Sequence, residues 1–208
     1  MIQRQIISTF DDLSQKHLTW IIKYHTTNFE RPVFLIWYTD TDKNSTDRLL
    51  TYKSGEIFCV KSLKNIKAII LASINNLNVF ENLYHWLNEF ENLEIVENCS
   101  YDIAAIETAI GSNNLDIQSL ESFTNFINLF GDFRYQDDRN AHLHIYMNDK
   151  LIKKTWDSYY NNIFWPGFKD KEKFEIWDNP RLNIDTRKLL IKFKNLVKIF
   201  DSNIKQGG

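Results

Sequence analysis

The chain has 208 residues, with 25 Lys and Arg against 27 Asp and Glu, so its net charge is near −2. This length allows one large domain, or two small ones, to bury a core without disulfides or metal. Apolar residues make up 43 %, and the 15 Phe, 9 Tyr and 6 Trp exclude a disordered chain, while 6 Gly and 3 Pro exclude collagen-like and low-complexity chains.

The first third of the chain favours β-structure. Residues 33–38 (VFLIWY) form a short apolar run, which is typical of a buried strand. Residues 49–53 and 56–60 are strand-like and flank Ser54-Gly55, so they predict a β-hairpin over 49–60. Residues 13–24 fit two structures, a helix that Ser14 caps or a strand.

Helical periodicity begins after this hairpin. Four helices are predicted before residue 131, and Ser62 and Ser100 are suitable caps for the first and the third. Gly111 and Gly131 are expected to end the third and the fourth. Their apolar faces are, in chain order, Leu63, Ile66, Ile70 and Leu71; Phe80, Leu83, Leu87 and Phe90, with Trp86 beside them; Ile103, Ile106 and Ile110; and Leu120, Phe123, Ile127 and Phe130.

The last third has one ambiguous and one clear element. Residues 141–147 alternate apolar and polar, which predicts a strand, although a helix continuing through Trp156 and Tyr159 fits as well. Asp185 begins an amphipathic helix over 186–200. Its apolar face comprises Leu189, Leu190, Phe193, Leu196, Val197 and Phe200, and its basic face Arg187, Lys188, Lys192, Lys194 and Lys198. A β-rich N-terminal third and mainly helical C-terminal two-thirds, without linker or repeat, predict a single α+β domain over 1–208.

Targeting signals are not evident. The N-terminus lacks the apolar region of a signal peptide and reaches two acids at Asp11 and Asp12. The longest apolar runs fall well short of the roughly 20 residues that a bilayer span requires. Cys59 lies in an alternating apolar stretch, where we expect a buried free thiol. These features predict a cytoplasmic protein without a membrane partner.

No familiar catalytic motif occurs. The six glycines do not form a phosphate-binding loop, and the G-x-S-x-G, H-E-x-x-H and zinc-finger spacings are absent. We therefore predict a protein that is not an enzyme and needs no metal or cofactor. One alternative is a metal-dependent hydrolase that uses Asp137, Asp138, His142 and His144, because two histidines at i and i+2 of a strand face the same side. The favoured interpretation of this cluster is a polar turn followed by a solvated strand face.

Charge is segregated along the chain. Residues 68–138 hold 12 acidic side chains and one basic one, Arg134, so their net charge is −11; the flanks, 1–67 and 139–208, are +3 and +6. One interpretation is a solvated helical face that pairs with the basic helix at 187–198. The favoured interpretation is a surface of concentrated negative potential, which attracts cationic partners and repels nucleic acid.

Three segments resemble parts of bacterial toxin-immunity proteins, the partners of contact-dependent inhibition and other polymorphic toxins. They are residues 49–56 (LLTYKSGE), 125–133 (NFINLFGDF) and 164–168 (FWPGF). The resemblance implies a stoichiometric inhibitor that binds a cognate toxin domain. Many such toxins are nucleases with basic clefts, which an acidic surface would suit.

The charge pattern and the resemblance together indicate a partner-binding role. The partner is expected to be a protein toxin with a basic surface, bound by acidic side chains of the middle segment. The candidate partner-binding residues are Glu89, Glu91, Glu94, Glu97, Asp102, Glu107, Asp116 and Asp132. Trp86, Tyr101 or Phe133 could supply an aromatic anchor, although core burial is the expected position of each. A regulatory or scaffold protein with an unrelated partner is a further alternative.

Overall fold

The computed structural model describes residues 9–90, 93–169 and 183–207. By internal packing the chain divides into two compact units. The first unit comprises Met1–His25, Phe29–Ser100 and Asn203–Gly208, and the second comprises Thr26–Asn28 and Tyr101–Ser202. A single domain over 1–208 stays a prediction.

The first unit holds most of the sheet and three helices. The helices are α1 (Phe10–His17), α2 (Ile66–Ser73) and α3 (Leu83–Asn88). Two 3₁₀ turns flank α2, at Leu63–Asn65 and Ile74–Asn76. The strands are β1 (Thr19–His25), β2 (Val33–Asp40), β3 (Thr46–Leu49), β4 (Ile57–Val60) and β6 (Ile204–Gln206), and β5 (Cys99–Asp102) leads along the chain into the second unit.

The described part of the second unit is mainly helical. Its α-helices are α4 (Ile103–Gly111), α5 (Ile117–Tyr135), α6 (His144–Met147), α7 (Lys150–Tyr159), α8 (Trp165–Lys169) and α9 (Thr186–Ser202). A 3₁₀ segment, Asp138–Leu143, precedes α6, and a π-helical turn, Tyr160–Phe164, joins α7 to α8. The fold class is therefore α+β, with the strands concentrated in the N-terminal third and helices after it, as predicted.

The sheet has the order β5-β1-β2-β4-β6, with β3 also paired to β2. Strands β1 and β2 are antiparallel, with Ile21 opposite Ile36, and β6 runs parallel to β4, with Lys205 opposite Phe58. The predicted strand at 33–38 is confirmed. It lacks alternation because both faces are apolar: Ile36 belongs to the core cluster shared with α1 to α3, and Leu35, on the opposite face, is also buried.

The predicted hairpin at 49–60 is present as a tight turn. Gly55, at φ 109°, donates its N–H to the Tyr52 carbonyl at 2.9 Å, and the Tyr52 N–H donates to Glu56 at 2.8 Å. Thr51 and Ile57 form an antiparallel bridge. The residues before the turn do not form a regular strand, however, because β3 ends at Leu49 and pairs with β2 instead.

Aromatic side chains fill both cores. In the first unit, Trp86 contacts Phe90 edge-to-face, with ring centroids 4.7 Å apart, and Tyr38 stacks on Phe80 at 3.8 Å. In the second unit, four phenylalanines of α5 surround two of α9. The six are Phe123, Phe126, Phe130, Phe133, Phe193 and Phe200, all fully buried. The apolar face predicted for 186–200 is confirmed, except that Leu190 is half-buried.

Several predicted helix ends were wrong. Thr9 caps α1 through a capping box, and Ser14 lies inside that helix; β1 follows it, so residues 13–24 contain parts of both alternatives. Asp102, two residues after the predicted cap Ser100, caps α4 instead. Helix α5 continues through Gly131, where a Cβ would lie 3.3 Å from the Met147 Cε atom.

Residues 141–147 do not form the predicted strand. They belong to the 3₁₀ segment and to α6, which agrees with the helical alternative. Apolar alternation over seven residues was misleading here because Ala141 and Ile145 are exposed, and only Leu143 is buried. Across the described ranges, no helix is both long enough and apolar enough to span a bilayer.

Candidate partner-binding surface

The eight predicted partner-binding acids are divided between the two units. Glu89, Glu94 and Glu97 lie in the first unit, and Glu91 lies outside the described residues. The second unit holds Asp102, Glu107, Asp116 and Asp132. We therefore consider the two groups separately.

Glu89 is committed to an ion pair within the first unit. Both of its carboxylate oxygens lie 2.7 Å from the Lys16 Nζ atom, and one lies 3.3 Å from His17 Nε2. The hydrogen bond from Lys16 lowers the pKa of Glu89. His17 is buried, and loss of solvation lowers its pKa despite the carboxylate beside it.

Glu97 is similarly compensated, whereas Glu94 is exposed. The Lys23 Nζ atom lies 3.1 Å from a Glu97 oxygen, and a backbone hydrogen bond, followed by this lysine, lowers the pKa of Glu97. Glu94 lies in the irregular segment between α3 and β5. Two of the three predicted acids that the structure describes in the first unit, Glu89 and Glu97, are thus paired with a lysine.

In the second unit, Asp102 and Asp116 cap the two helices that carry the other acids. Asp102 accepts the Ala105 N–H at 3.1 Å at the start of α4, and Asp116 accepts the Ser119 N–H at 2.8 Å at the start of α5. Hydrogen bonds from Ser119 lower the pKa of Asp116. Both carboxylates are exposed, so each can meet a cation while it caps its helix.

Glu107 and Asp132 are less accessible. The Glu107 carboxylate lies 3.7 Å from the Lys194 Nζ atom, and burial raises its pKa, with the negative charge of Asp201 nearby. Asp201 itself is buried and accepts hydrogen bonds from the Thr26 hydroxyl at 3.0 Å and the Asn28 amide at 2.6 Å. Asp132 is half-buried on α5.

Glu121, which the sequence analysis did not select, completes the acidic set of the second unit. It is exposed on α5, and its carboxylate accepts a hydrogen bond from Tyr159; burial and this charge raise the pKa of Tyr159 to about 12. From residue 101 to residue 133 every charged side chain is acidic. We call α4 and α5 the acidic helix pair, defined by Asp102, Glu107, Asp116, Glu121 and Asp132. The charge segregation along the sequence could have identified Glu121.

A row of aromatic side chains, which we call the aromatic row, begins at Tyr159, the residue that contacts Glu121. Tyr159 and Tyr160 pack edge-to-face at 5.5 Å, and Asn128 of α5 hydrogen-bonds the Tyr160 hydroxyl at 3.0 Å. The aromatic row continues through the π-helical turn into α8 with Phe164, Trp165 and Phe168, which are 38 %, 47 % and 77 % exposed. Such exposed rings are unusual for a surface without a ligand.

The aromatic anchors predicted from the sequence lie elsewhere. Trp86 and Phe133 are fully buried core residues, as expected, and Tyr101 is half-buried. The exposed rings of the aromatic row were missed as a binding feature, because periodicity alone cannot distinguish an apolar side chain in a core from one at an interface.

The candidate metal cluster is not assembled. Asp137 accepts hydrogen bonds from Arg139, His142 Nδ1 lies 3.0 Å from the Arg139 carbonyl, and His144 Nε2 lies 2.7 Å from the Asn148 amide. In a helical segment, residues at i and i+2 do not share a face. Within 9–90, 93–169 and 183–207, no group of three His, Cys, Asp or Glu side chains could hold a metal ion.

Comparison with known proteins informs the fold alone. No family model matches the chain, and no curated protein matches it. A solved structure described as the crystal structure of the SatS C-terminal domain in complex with bromine is similar, with a TM-score of 0.52 and 9 % identity. The similarity covers 94 % of this chain and 97 % of that one. It supports the α+β class.

Proposed function

We propose that this chain is an immunity protein, a cytoplasmic, non-catalytic inhibitor that binds a cognate bacterial toxin domain in a stoichiometric complex. The observation that carries the proposal lies in the second unit. There, the aromatic row, whose last three rings are exposed, adjoins the acidic helix pair through the contact between the buried Tyr159 and Glu121.

This juxtaposition has the composition of a protein-binding surface. Interfaces concentrate binding energy in a few aromatic or Arg side chains, surrounded by a polar rim that excludes water. Trp165 and Phe168 would be the central anchors, and the exposed carboxylates of Asp116 and Glu121 the rim. A basic partner would also place Lys or Arg over the rings, where cation–π attraction adds to the contact.

The same charges favour a nuclease as the toxin. The active cleft of a nuclease is basic because it binds phosphates, and acidic side chains can occupy such a cleft in place of the nucleic acid. The acidic helix pair would also repel nucleic acid from this face, which supports a protein partner for it.

Acids of the first unit have a smaller part in this proposal. Glu89 and Glu97 already pair with Lys16 and Lys23, and a toxin would have to replace those lysines. Exposed pairs of this type contribute only about 0–1 kcal/mol, so exchange is feasible but yields little affinity. Among the predicted first-unit acids that the structure describes, Glu94 is the best candidate for a rim contact.

The experiment is a protection assay with charge-neutral, cap-preserving variants. Asn caps a helix as well as Asp does, so Asp102→Asn and Asp116→Asn, together with Glu121→Gln, remove three charges without removing a cap. Cells that express the toxin encoded next to this gene should lose protection with the triple variant. They should also lose it with Trp165→Ala combined with Phe168→Ala.

Matched control variants test whether a loss of protection comes from the proposed surface, from the change in net charge or from unfolding. Glu30→Gln, Asp42→Asn and Glu81→Gln together remove three exposed charges of the first unit, and Ile191→Ala truncates an exposed apolar side chain of α9. These variants should protect cells fully. If the neutralised and aromatic variants, shown to be folded by circular dichroism, protect as well as the controls, the proposal is wrong. A neighbouring gene that encodes no toxin would also contradict it.

A further inference from the structure

Helix α2 is apolar on almost every side, yet part of it faces solvent. Ile66 and Ile70 are buried in the core cluster of the first unit. Ala68, Leu71 and Ala72 are exposed, with Leu71 40 % accessible. A helix that is hydrophobic all round is normally enclosed by protein, so the outer face of α2 is suited to a partner.

A groove runs along this exposed face. It has a volume of about 460 Å³, and α2 with the turn before it forms one wall, while Phe90 and Ile95 form the other. Phe90 is held in place by edge-to-face contacts with Trp86 at 4.7 Å and Phe10 at 5.7 Å. The wall that contains Phe90 is therefore packed in place before any partner binds, which reduces the entropy lost on binding.

Lysines line the rim of the groove. Lys64 and Lys67 belong to its wall. They lie three residues apart in consecutive helical turns, which places them along one edge. Neither side chain makes an ion pair or a hydrogen bond with another described residue. In contrast, Lys16 and Lys23 in the same unit are both paired with glutamates.

We propose that this groove, which we call the α2 groove, binds an acidic amphipathic helix of a partner protein. The apolar side of the helix would lie on Leu71, Phe90 and Ile95, and its carboxylates would meet Lys64 and Lys67. This inference goes beyond the immunity role, because it concerns the first unit and a ligand of the opposite charge. It would hold for a toxin with an acidic segment or for an unrelated partner.

An extended ligand fits the groove better than a compact one. Small-molecule sites bury about 70–90 % of the surface of their ligand. This groove is less enclosed, because Leu71 in its wall is 40 % exposed to solvent. A helix that lies in an apolar groove needs contacts at i, i+3, i+4 and i+7 only, and its remaining residues stay in water. Lys64 and Lys67 on the rim then favour Asp and Glu on the flanks of the helix.

The test uses a defined peptide and the full chain. The probe is a fluorescein-labelled 18-residue peptide with Leu at i, i+3, i+4 and i+7 and Glu at the flanking positions, and its matched control replaces every Glu with Lys. Fluorescence anisotropy at low salt should detect binding of the acidic peptide only. Lys64→Glu with Lys67→Glu should weaken that binding by about tenfold or more, because like charges then face each other.

A second pair of substitutions controls for net charge. Lys150→Glu with Lys153→Glu makes the same charge change on α7 of the second unit, where both lysines are exposed. This variant should bind the acidic peptide like the unaltered chain. Leu71→Ser should weaken binding without changing the net charge, which separates the apolar contact from the ionic one.

Four outcomes would overturn the proposal. The first two are failure of the acidic peptide to bind at millimolar concentration and binding of the Lys peptide with the same affinity as the acidic one. The third is an equal loss of peptide affinity in both double-lysine variants. The fourth is binding of a single-stranded oligonucleotide at Lys64 and Lys67 that is tighter than binding of the acidic peptide. Self-association of the chain through Leu71, detected by analytical ultracentrifugation, would also overturn it, since the occupant would then be a second copy.

Discussion

Lys16 and Glu89 are 73 residues apart in sequence, and the Lys16 Nζ atom lies 2.7 Å from both Glu89 oxygens. The pair joins the end of α1 to the end of α3. Lys23 and Glu97 make a similar contact in the first unit, as do Lys194 and Glu107 in the second. Acidic side chains of the middle segment are therefore partly neutralised by lysines that are distant in sequence but lie in the same unit. The pair between Lys194 and Glu107 is of the kind expected by the alternative interpretation, in which the acidic segment pairs with the basic helix at 187–198.

The cluster around Lys16 predicts a pH dependence of stability. Burial lowers the folded-state pKa of His17 below its usual 6.5, so the unfolded chain binds the proton more readily. The contribution of His17 is complete above pH 6.5 and is lost as pH falls below that value. Glu89 also has a lowered pKa, and its contribution is present above its usual 4.5 and lost as pH falls through its folded-state value.

Both groups therefore destabilise the folded protein on acidification, in successive ranges. Urea unfolding between pH 8 and pH 4 should show a decrease that begins near pH 6.5. His17→Gln should flatten the part of the profile that begins below about pH 6.5, and Glu89→Gln the part that begins below about pH 4.5. An unchanged slope in the His17 variant would contradict the assignment.

The second core depends on Phe193. Its ring lies 5.2 Å from Phe123 and 5.4 Å from Phe126, and it is fully buried. Phe193→Ala should lower the free energy of unfolding by about 3–5 kcal/mol, and Leu196→Ala by about 2–5 kcal/mol, because each leaves a cavity. Thermal and denaturant unfolding would measure both.

The matched control is Lys198→Ala on the exposed side of the same helix. It should change stability by no more than about 0.5 kcal/mol. Lys192→Ala, also expected to have a small effect, is a stricter test because Lys192 pairs with Asp149. Equal losses for Phe193→Ala and Lys198→Ala would contradict the assignment of the buried and exposed faces of α9.

Gly207 directly follows β6 and packs against β4 in the sheet of the first unit. It is buried, its N–H donates to the Cys59 carbonyl at 2.8 Å, and a Cβ at this position would lie 2.2 Å from Phe58 Cε2. Gly207→Ala should therefore lower the unfolding free energy by about 1–3 kcal/mol through overpacking. Gln206→Ala, at an exposed neighbour, should have almost no effect, and a neutral Gly207 variant would show that this terminus is frayed.

Local sequence signals predicted the fold where one interaction dominates. The strand at 33–38, the turn at Ser54-Gly55 and the faces of α9 follow from periodicity and turn chemistry. Cys59 is a buried free thiol as predicted, and burial raises its pKa to about 11. Strand β6 was missed because three residues carry too little pattern, and because its partner β4 is distant in sequence, with Ile204 opposite Ile57.

The negative charge of the candidate surface could be predicted from the sequence, but which of its carboxylates are exposed could not. Composition along the chain identified the acidic segment, yet a sequence cannot show that Glu89 and Glu97 meet lysines while Asp116 and Glu121 remain exposed. Those outcomes depend on which helices become neighbours. Exposure of Trp165 likewise depends on the π-helical turn before it, which has no simple sequence signature.

The most direct test of the proposed function is the affinity of the purified chain for its cognate toxin domain, measured by surface plasmon resonance at 50 mM and 500 mM salt. The unaltered chain should bind, with an association rate that falls at high salt because screening removes the attraction of the acidic helix pair. The variant with Asp102→Asn, Asp116→Asn and Glu121→Gln should associate slowly at both salt concentrations. Binding of that variant with the rate and salt dependence of the unaltered chain would contradict the acidic surface as the determinant of recognition.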